Sequence, residues 1–399
     1  MNEKSITHGK YAELDGIRGL AILMVLAYHC GRFDSFATAD KIINKGFEFG
    51  WVGVDLFFAL SGYLITGILF DSRRKEGYLR VFFGRRVLRI FPLYFCFLIG
   101  LTIFAVWIAP SLADSQRFLH LEGWYWLYGV NFLVVARGDW NAAPFDTGIL
   151  WSLAIEEQFY LIWPFVVWKS SRTTLVKLCV ALIACAGLFR VVLRWHGVSP
   201  PALYTLTPAR MDVLLVGALA ALLVRGPASR EQLRDYVRAA LAAGVGLLSL
   251  AVIADRGVTG NGRMMQTLGF TGIALIAFSV ILMTRTMPQG GRLRTVLRSR
   301  TLMFFGAYSY ALYVLHYVVR NAVFQVFPPL ESLPTAAGLL FPWAVLRGAC
   351  AIGIAIALSL ASWHLLEKRC LALKRHFRYG ANTTEFAKEP TSEAASVRG

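Results

Sequence analysis

The stretch Leu14-Asp15-Gly16-Ile17-Arg18-Gly19-Leu20-Ala21-Ile22-Leu23-Met24-Val25-Leu26-Ala27-Tyr28-His29 decides the fold. It is apolar without the alternation of a strand, and it continues past the length of an ordinary core strand, so it reads as a membrane-crossing helix. Two ionisable residues interrupt it. Arg18 and His29 are eleven positions apart, which at about 100° per residue is about three full turns, so both lie on one helical face, about 16 Å apart along the axis. A charge inside a bilayer is costly enough to be a functional candidate by default. The plainer reading is a snorkelling Arg and a packed His near the outer end.

Working outward, the whole chain shares this character. Of its 399 residues 56% are hydrophobic and 16% charged, and the mean hydropathy is +0.54. A soluble domain of ordinary composition is excluded. Backbone polar groups in lipid must be satisfied within helices or a closed barrel, and long unalternating apolar runs exclude the barrel. The formal charge of +17 raises the question of nucleic acid, but the basic residues fall in short clusters between apolar runs, as in cytoplasmic loops, and no nucleic-acid partner is expected. Residues Met1 to Gly16 are polar and no small-residue cleavage site follows, so no cleavable leader is expected. Cys30, Cys96, Cys179, Cys185, Cys350 and Cys370 are scattered without a CxxC pair. They read as packing residues, and no metal site is expected.

About ten segments of about 20 apolar residues can cross the bilayer: 17-32, 48-70, 88-109, 148-168, 174-194, 210-225, 239-254, 266-284, 302-325 and 342-366. The expected class is an all-α polytopic membrane protein. Alternate loops differ in basic content, as the positive-inside rule requires when no helix is missed. Arg73, Arg74, Lys75, Arg80, Arg85, Arg86 and Arg89 fill the second loop, and Lys368, Arg369, Lys374 and Arg375 follow the last helix, whereas 326-341 has no Lys or Arg. Both termini are therefore expected in the cytoplasm. One membrane domain should span 1-376. After Phe377 the composition turns polar, and 377-399 is expected to be a disordered cytoplasmic tail. Trp124, Tyr125, Trp126 and Tyr128, in the long segment 110-147, suit an interfacial aromatic belt.

Further embedded charges mark candidate chemistry. Asp55 is a lone carboxylate at the start of the second helix, and His29 is its expected partner, fixed in tautomer by it. Arg86 and Arg89 share a face at i,i+3 at the cytoplasmic boundary and suit a phosphate-bearing ligand. Glu156 and Glu157 enter an apolar helix side by side. Pointing about 100° apart, at most one joins His29 readily; the spacing leaves open which. His316 reads equally as part of an acceptor path or as a packing histidine. His364 and Glu367 look interfacial and structural.

These stretches, LDGIRGLAILMVLAYH (14-29), GVDLFFALSGYLI (53-65), RRVLRIFPLY (85-94), WSLAIEEQFYLIWP (151-164) and SYALYVLH (309-316), occur in the order in which the chain resembles acyltransferase family 3, membrane-bound O-acyltransferases of bacterial surface glycans. The resemblance implies a ten-helix transferase of the bacterial cytoplasmic (inner) membrane that uses acyl-CoA, with acetyl-CoA favoured, and a glycan or lipid-linked saccharide acceptor. It implies functional roles for the Arg18/His29 and Arg86/Arg89 pairs, and it makes Tyr94 a candidate of the substrate path beside His316. The family's usual Glu-Arg-Pro-like close is here Glu367-Lys368-Arg369-Cys370, so no role passes to Glu367. Some members carry an extra hydrolase-like domain; none is expected here, because the sequence ends soon after the last helix.

The expected mechanism has Arg86 and Arg89, with Arg18, hold the acyl-CoA phosphates while His29, oriented by Asp55, Glu156 or Glu157, acts as general base on an acceptor hydroxyl. A covalent acyl-histidine relay is the variant. Two other readings use the same residues: transfer to a small secondary metabolite such as a macrolide, and a secondary transporter or flippase. Against the latter, the motif-bearing segments do not recur in the second half of the chain.

Overall fold

The computed structural model describes residues 12–33, 37–288, 290–335 and 339–380, and the tail from 381 onward lies outside the described residues. The described chain is helical: α1 (Ala12–Gly31), α2 (Thr38–Glu48), α3 (Gly53–Ser72), α4 (Tyr78–Ile103), α5 (Ala113–Trp126), α6 (Val130–Arg137), α7 (Trp151–Lys169), α8 (Arg172–Trp195), α9 (Pro200–Thr205), α10 (Thr207–Val224), α11 (Arg230–Asp255), α12 (Phe270–Thr286), α13 (Arg292–Leu297), α14 (Arg300–Val326), α15 (Phe341–Ser362) and α16 (Lys368–Ala372). Among the described residues nine helical stretches are long and apolar enough to cross a membrane. Helix α7, with 19 residues and two carboxylates, is a further long helix outside these nine. The all-α polytopic class expected from composition is therefore the fold.

Helices α4 and α11 begin more than two turns before hydropathy places them. Helix α4 starts at Tyr78 after Gly77, whose left-handed φ of 73° turns the chain, so Arg80, Arg85, Arg86 and Arg89 sit on helix rather than in a loop. Val81 and Phe82 on its first turns are buried, and that burial supports helix where the charges weaken the hydropathy signal. Helix α11 starts at Arg230 behind a capping box formed by Ser229 and Gln232, which satisfies the first free backbone donors without any apolar residue.

Burial sorts the helices into centre and rim. The apolar stretch of Thr38–Ser72 is 83% buried, against 17% for Arg230–Asp255, so α3 is the central post and α11 faces lipid. Helix α3 meets α10 so closely that a Cβ on Gly62 would strike the Leu214 carbonyl, and one on Gly217 the Ala59 carbonyl. Lipid tails are as apolar as leucine, so helices in a bilayer gain from backbone contact that only small residues permit. The same device joins α1 to α14, where Gly19 abuts the Leu302 carbonyl and Gly306 the Asp15 carbonyl. Helix α7 locks onto α3 by hydrogen bonds: Trp163 Nε1 donates to Thr66 Oγ1 at 2.8 Å, and the Ser61 and Tyr160 hydroxyls bond to each other.

The segment between α4 and α7 is packed rather than a belt of interfacial aromatics. Tyr125 is fully buried, with its hydroxyl 2.7 Å from Thr147 Oγ1, and Tyr128 stacks on Tyr94 at 4.2 Å. Of the four aromatics noted in the sequence Trp124 is the exposed one, at 40%. At the chain's other end, Phe377 fills a notch over Gly84 and its carbonyl accepts from Arg85 Nε at 2.9 Å.

The glycine contacts carry a prediction. Gly217→Leu forces the α3 and α10 backbones apart and is expected to cost about 1–3 kcal/mol, read as a lower unfolding temperature in detergent. Gly100→Leu, at a glycine with open space around it, should leave that temperature unchanged.

Candidate active site

His29 lies in the last turn of α1 and His316 deep in α14, and the α1–α14 contact brings them together. His29 Nδ1 is 2.9 Å from His316 Nε2. His316 Nδ1 is 2.9 Å from the Leu312 carbonyl and 2.9 Å from the Tyr313 carbonyl. Carbonyl oxygens only accept, so His316 Nδ1 carries a proton, and in the neutral ring Nε2 is an acceptor. His29 Nδ1–H therefore donates to it, which leaves the lone pair of His29 Nε2 free. Arg320 Nε donates to the His29 carbonyl at 3.2 Å, and Tyr317 packs edge-on to the imidazole at 4.7 Å. His316 and Tyr317 thus hold the ring, and Arg320 holds the backbone behind it.

The group that orients His29 is thus a histidine, not one of the three carboxylates expected. Asp55 is elsewhere engaged: Arg210 Nη2 donates to its Oδ1 at 2.6 Å, and both side chains are fully buried. A second buried pair, Arg190–Asp212 at 2.7 Å, lies alongside, with Arg190 also donating to the Ala209 carbonyl at 2.6 Å and to Thr271 Oγ1 at 2.7 Å. These pairs tie α3, α8, α10 and α12. Sequence reading passed over Arg190, Arg210 and Asp212, although each is a charge in an apolar run; hydropathy started α10 at 210, which left Arg210 and Asp212 looking terminal.

Two cavities open within the bundle. The outer chamber, of about 550 Å³, is lined by His29, Trp140, Asp146, Trp151, Tyr317 and Arg320 among others. The inner one, of about 110 Å³, is lined by Arg18, Arg86, Arg89, Glu156, Ser61 and Tyr310 among others. Val54 and Tyr313 belong to the walls of both, so this pair forms the neck that separates the cavities. The Tyr313 hydroxyl is fixed there, 2.5 Å from Ser152 Oγ and donating to the Ile149 carbonyl at 3.1 Å.

The inner cavity gathers three guanidinium groups predicted from sequence. Arg89 is 3.7 Å from the buried Glu367, and Arg18 is 3.7 Å from Asp15. Arg86 makes no ion pair with another described residue; it lies over the rings of Phe82 and Tyr160, 5.9 Å from each. Glu367, set aside in the sequence as interfacial, is a neighbour of this site. Glu156 faces the cavity and Glu157, one residue on, lines neither chamber, as the roughly 100° step between adjacent helical residues dictates. Tyr94 likewise lines neither cavity; it is buried with its hydroxyl donating to the Tyr125 carbonyl at 2.9 Å. Among the described residues no three His, Cys, Asp or Glu side chains form a metal-ligating group.

Chemically, the arrangement offers a cationic pocket on the arginine-rich side, an uncommitted imidazole nitrogen on the other, and a narrow neck between them. Comparison with known proteins agrees in kind. Residues 11–362 match the family model described as an acyltransferase domain. The chain is 29% identical over 320 residues to the peptidoglycan O-acetyltransferase OatA of Listeria monocytogenes, covering 77% of this chain and 49% of that protein. It is 32% identical over 235 residues to the putative peptidoglycan O-acetyltransferase YrhL of Bacillus subtilis, 56% of this chain and 34% of that one. It is 25% identical over 321 residues to the O-acetyltransferase OatA of Staphylococcus aureus, 77% and 50% respectively. The chain thus spans half or less of the length of these relatives. No solved structure matches.

Removing one member of the Asp55–Arg210 pair strands a buried charge. Asp55→Ala is expected to destabilise the protein by about 3–5 kcal/mol, and Asp55→Ala combined with Arg210→Met to recover part of that loss in the same detergent melt.

Proposed function

The chain belongs to the family defined by the acyltransferase domain, and from that premise we propose that it is a multi-pass O-acyltransferase of the bacterial cytoplasmic membrane that takes an acetyl group from cytoplasmic acetyl-CoA and transfers it to a hydroxyl of a cell-surface glycan. The observation that carries this reading is that Val54 and Tyr313 belong to the walls of both cavities. It puts a phosphate-binding chemistry and a base on opposite sides of one neck.

On the cytoplasmic side, Arg86, Arg89 and Arg18 present guanidinium groups whose planar donors match phosphate oxygens. Arg86, without an ion pair among the described residues, takes the donor's phosphates with the least rearrangement. The thioester arm passes the neck, where Tyr313 must turn aside from Ser152, and brings its carbonyl carbon to the outer chamber. The acceptor hydroxyl gives its proton to His29 Nε2 as its oxygen attacks that carbon. The carbon–sulfur bond breaks, the ester is formed, and the proton passes from His29 to the leaving CoA sulfur. His316 supports the step because the His29 imidazolium keeps its Nδ1–H bond to a neutral acceptor throughout. The same free lone pair serves an acyl-histidine relay, in which Nε2 attacks the acetyl carbon, the carbon–sulfur bond breaks with the CoA thiolate leaving, and the acceptor oxygen then displaces the imidazole, whose freed nitrogen takes the hydroxyl proton.

Purified protein in lipid nanodiscs, given radiolabelled acetyl-CoA and an oligosaccharide acceptor, tests the reading. His29→Ala should lower transfer by about 10³-fold and His316→Ala by about 10²-fold, within the range of a lost or disoriented general base. Arg86→Ala should raise the donor KM about tenfold, with a smaller effect on kcat, as lost ground-state binding does. A His29→Ala protein that inserts normally and still transfers at the wild-type rate would contradict the whole scheme.

A further inference from the structure

Just before α7, the 3-10 segment Pro144–Leu150 contains two consecutive residues in the left-handed region, Phe145 at φ 54° and Asp146 at φ 53°. Neither is glycine, and such a conformation is a genuine outlier for a bulky residue such as Phe. Backbone strain of this kind persists only where the surroundings over-determine it, and it clusters at sites of function. The surroundings here do over-determine it. The Phe145 amide donates to Asp114 Oδ2 at 3.0 Å, the Thr147 hydroxyl donates to the Pro144 carbonyl at 2.7 Å, and the Phe145 ring packs against Phe104 at 5.8 Å and Phe118 at 6.1 Å.

The strained turn sets one group in place: the Asp146 carboxylate, on the wall of the outer chamber that holds His29. Its Oδ2 accepts from Asn321 Nδ2 at 2.7 Å. Asn321 Oδ1 in turn accepts from Arg320 Nη1 at 2.6 Å, and Arg320 is the residue bound to the His29 carbonyl. The carboxylate and the imidazole are thus referenced to one another through two side chains. The same wall includes Trp140 and Trp151 together with Asn141 and Asn261. Indole and amide side chains around one chamber suit a ring that is apolar on its C–H face and hydroxylated at its rim.

We propose that Asp146 is the acceptor-binding residue of the outer chamber, its carboxylate receiving hydroxyl donors of a saccharide and so selecting which hydroxyl is presented to His29. This rests on the functional reading above. A carboxylate accepts two hydroxyls in charge-assisted hydrogen bonds, while its link to Arg320 fixes where the sugar sits relative to the base. Asp146 is absent from the sequence expectations because a single Asp in a polar connecting segment gives no periodicity or spacing signal; only the backbone conformation singles it out.

The test measures transfer from radiolabelled acetyl-CoA to a soluble β-linked N-acetylglucosamine pentamer by wild-type, Asp146→Gly and Asp146→Asn protein in nanodiscs. Glycine adopts the left-handed conformation freely, so Asp146→Gly removes the carboxylate while relieving the strain, and its unfolding temperature should equal or exceed that of wild type. The acceptor KM should rise at least about tenfold in Asp146→Gly and less in Asp146→Asn, with the donor KM unchanged and kcat at saturating acceptor within about threefold of wild type. An unchanged acceptor KM in both variants overturns the proposal. So does a fall in kcat at constant acceptor KM, which would make Asp146 only a brace for His29. If wild type labels no saccharide, the functional reading fails first and this inference fails with it.

Discussion

A charge among membrane-spanning helices must find its partner inside the protein, and the rest of this structure follows from how that demand is met. At the bundle's centre it is met charge for charge by Asp55–Arg210 and Arg190–Asp212, pairs of 2.6 and 2.7 Å between buried side chains. Their net worth against a well-packed apolar core is small, but leaving either member alone is costly, so they fix which faces of α3, α8, α10 and α12 meet. Glycine contacts at Gly62 and Gly217 bring the same helices to backbone distance. The outcome is a tightly joined set of helices whose paired charges face one another, while α3 also lends Val54 and Ser61 to the cavity walls.

Around the inner cavity the demand is met only in part. Arg18 and Arg89 reach carboxylates at 3.7 Å, and Arg86 rests on aromatic rings. Loosely paired cations can exchange a partner at 3.7 Å for an anion from outside the protein at little cost, which is the physical difference between these arginines and the tightly paired ones. The outer chamber has the opposite character. Its proposed base is a neutral imidazole whose tautomer is dictated by two carbonyls acting through His316, and the neck at Val54 and Tyr313 keeps the two environments apart.

Much of the fold was legible in the sequence because hydropathy reads long lipid-facing helices directly. It misplaced the starts of α4 and α11, where arginines on amphipathic first turns lower the signal while Val81 and Phe82 or a capping box hold the helix. Arg18, Arg86, Arg89 and His29 were legible as embedded charges on shared faces. The orienting partner was not. A carboxylate beside an imidazole is the commoner arrangement, and Asp55 stood at the right depth, but depth along a helix does not fix rotation about it; Asp55 turns toward α10 and pairs with Arg210. The choice between Glu156 and Glu157 likewise needed the rotation of α7, and the role of His316 needed the α1–α14 contact, which rests on Gly19 and Gly306. Asp146 needed a pair of backbone angles.

The central claim is that donor and base approach one neck from opposite sides. The measurement that tests it most directly is a cryo-EM structure in nanodiscs with a non-hydrolysable acetyl-CoA analogue. The analogue's phosphates should lie against Arg86 and Arg89 on the arginine-rich side, its arm past a displaced Tyr313, and its carbonyl carbon about 5 Å from His29 Nε2, so that an acceptor oxygen hydrogen-bonded to Nε2 stands about 3–3.5 Å from it. An analogue bound wholly outside the inner cavity, with Tyr313 still on Ser152 and the carbonyl remote from His29, would contradict it.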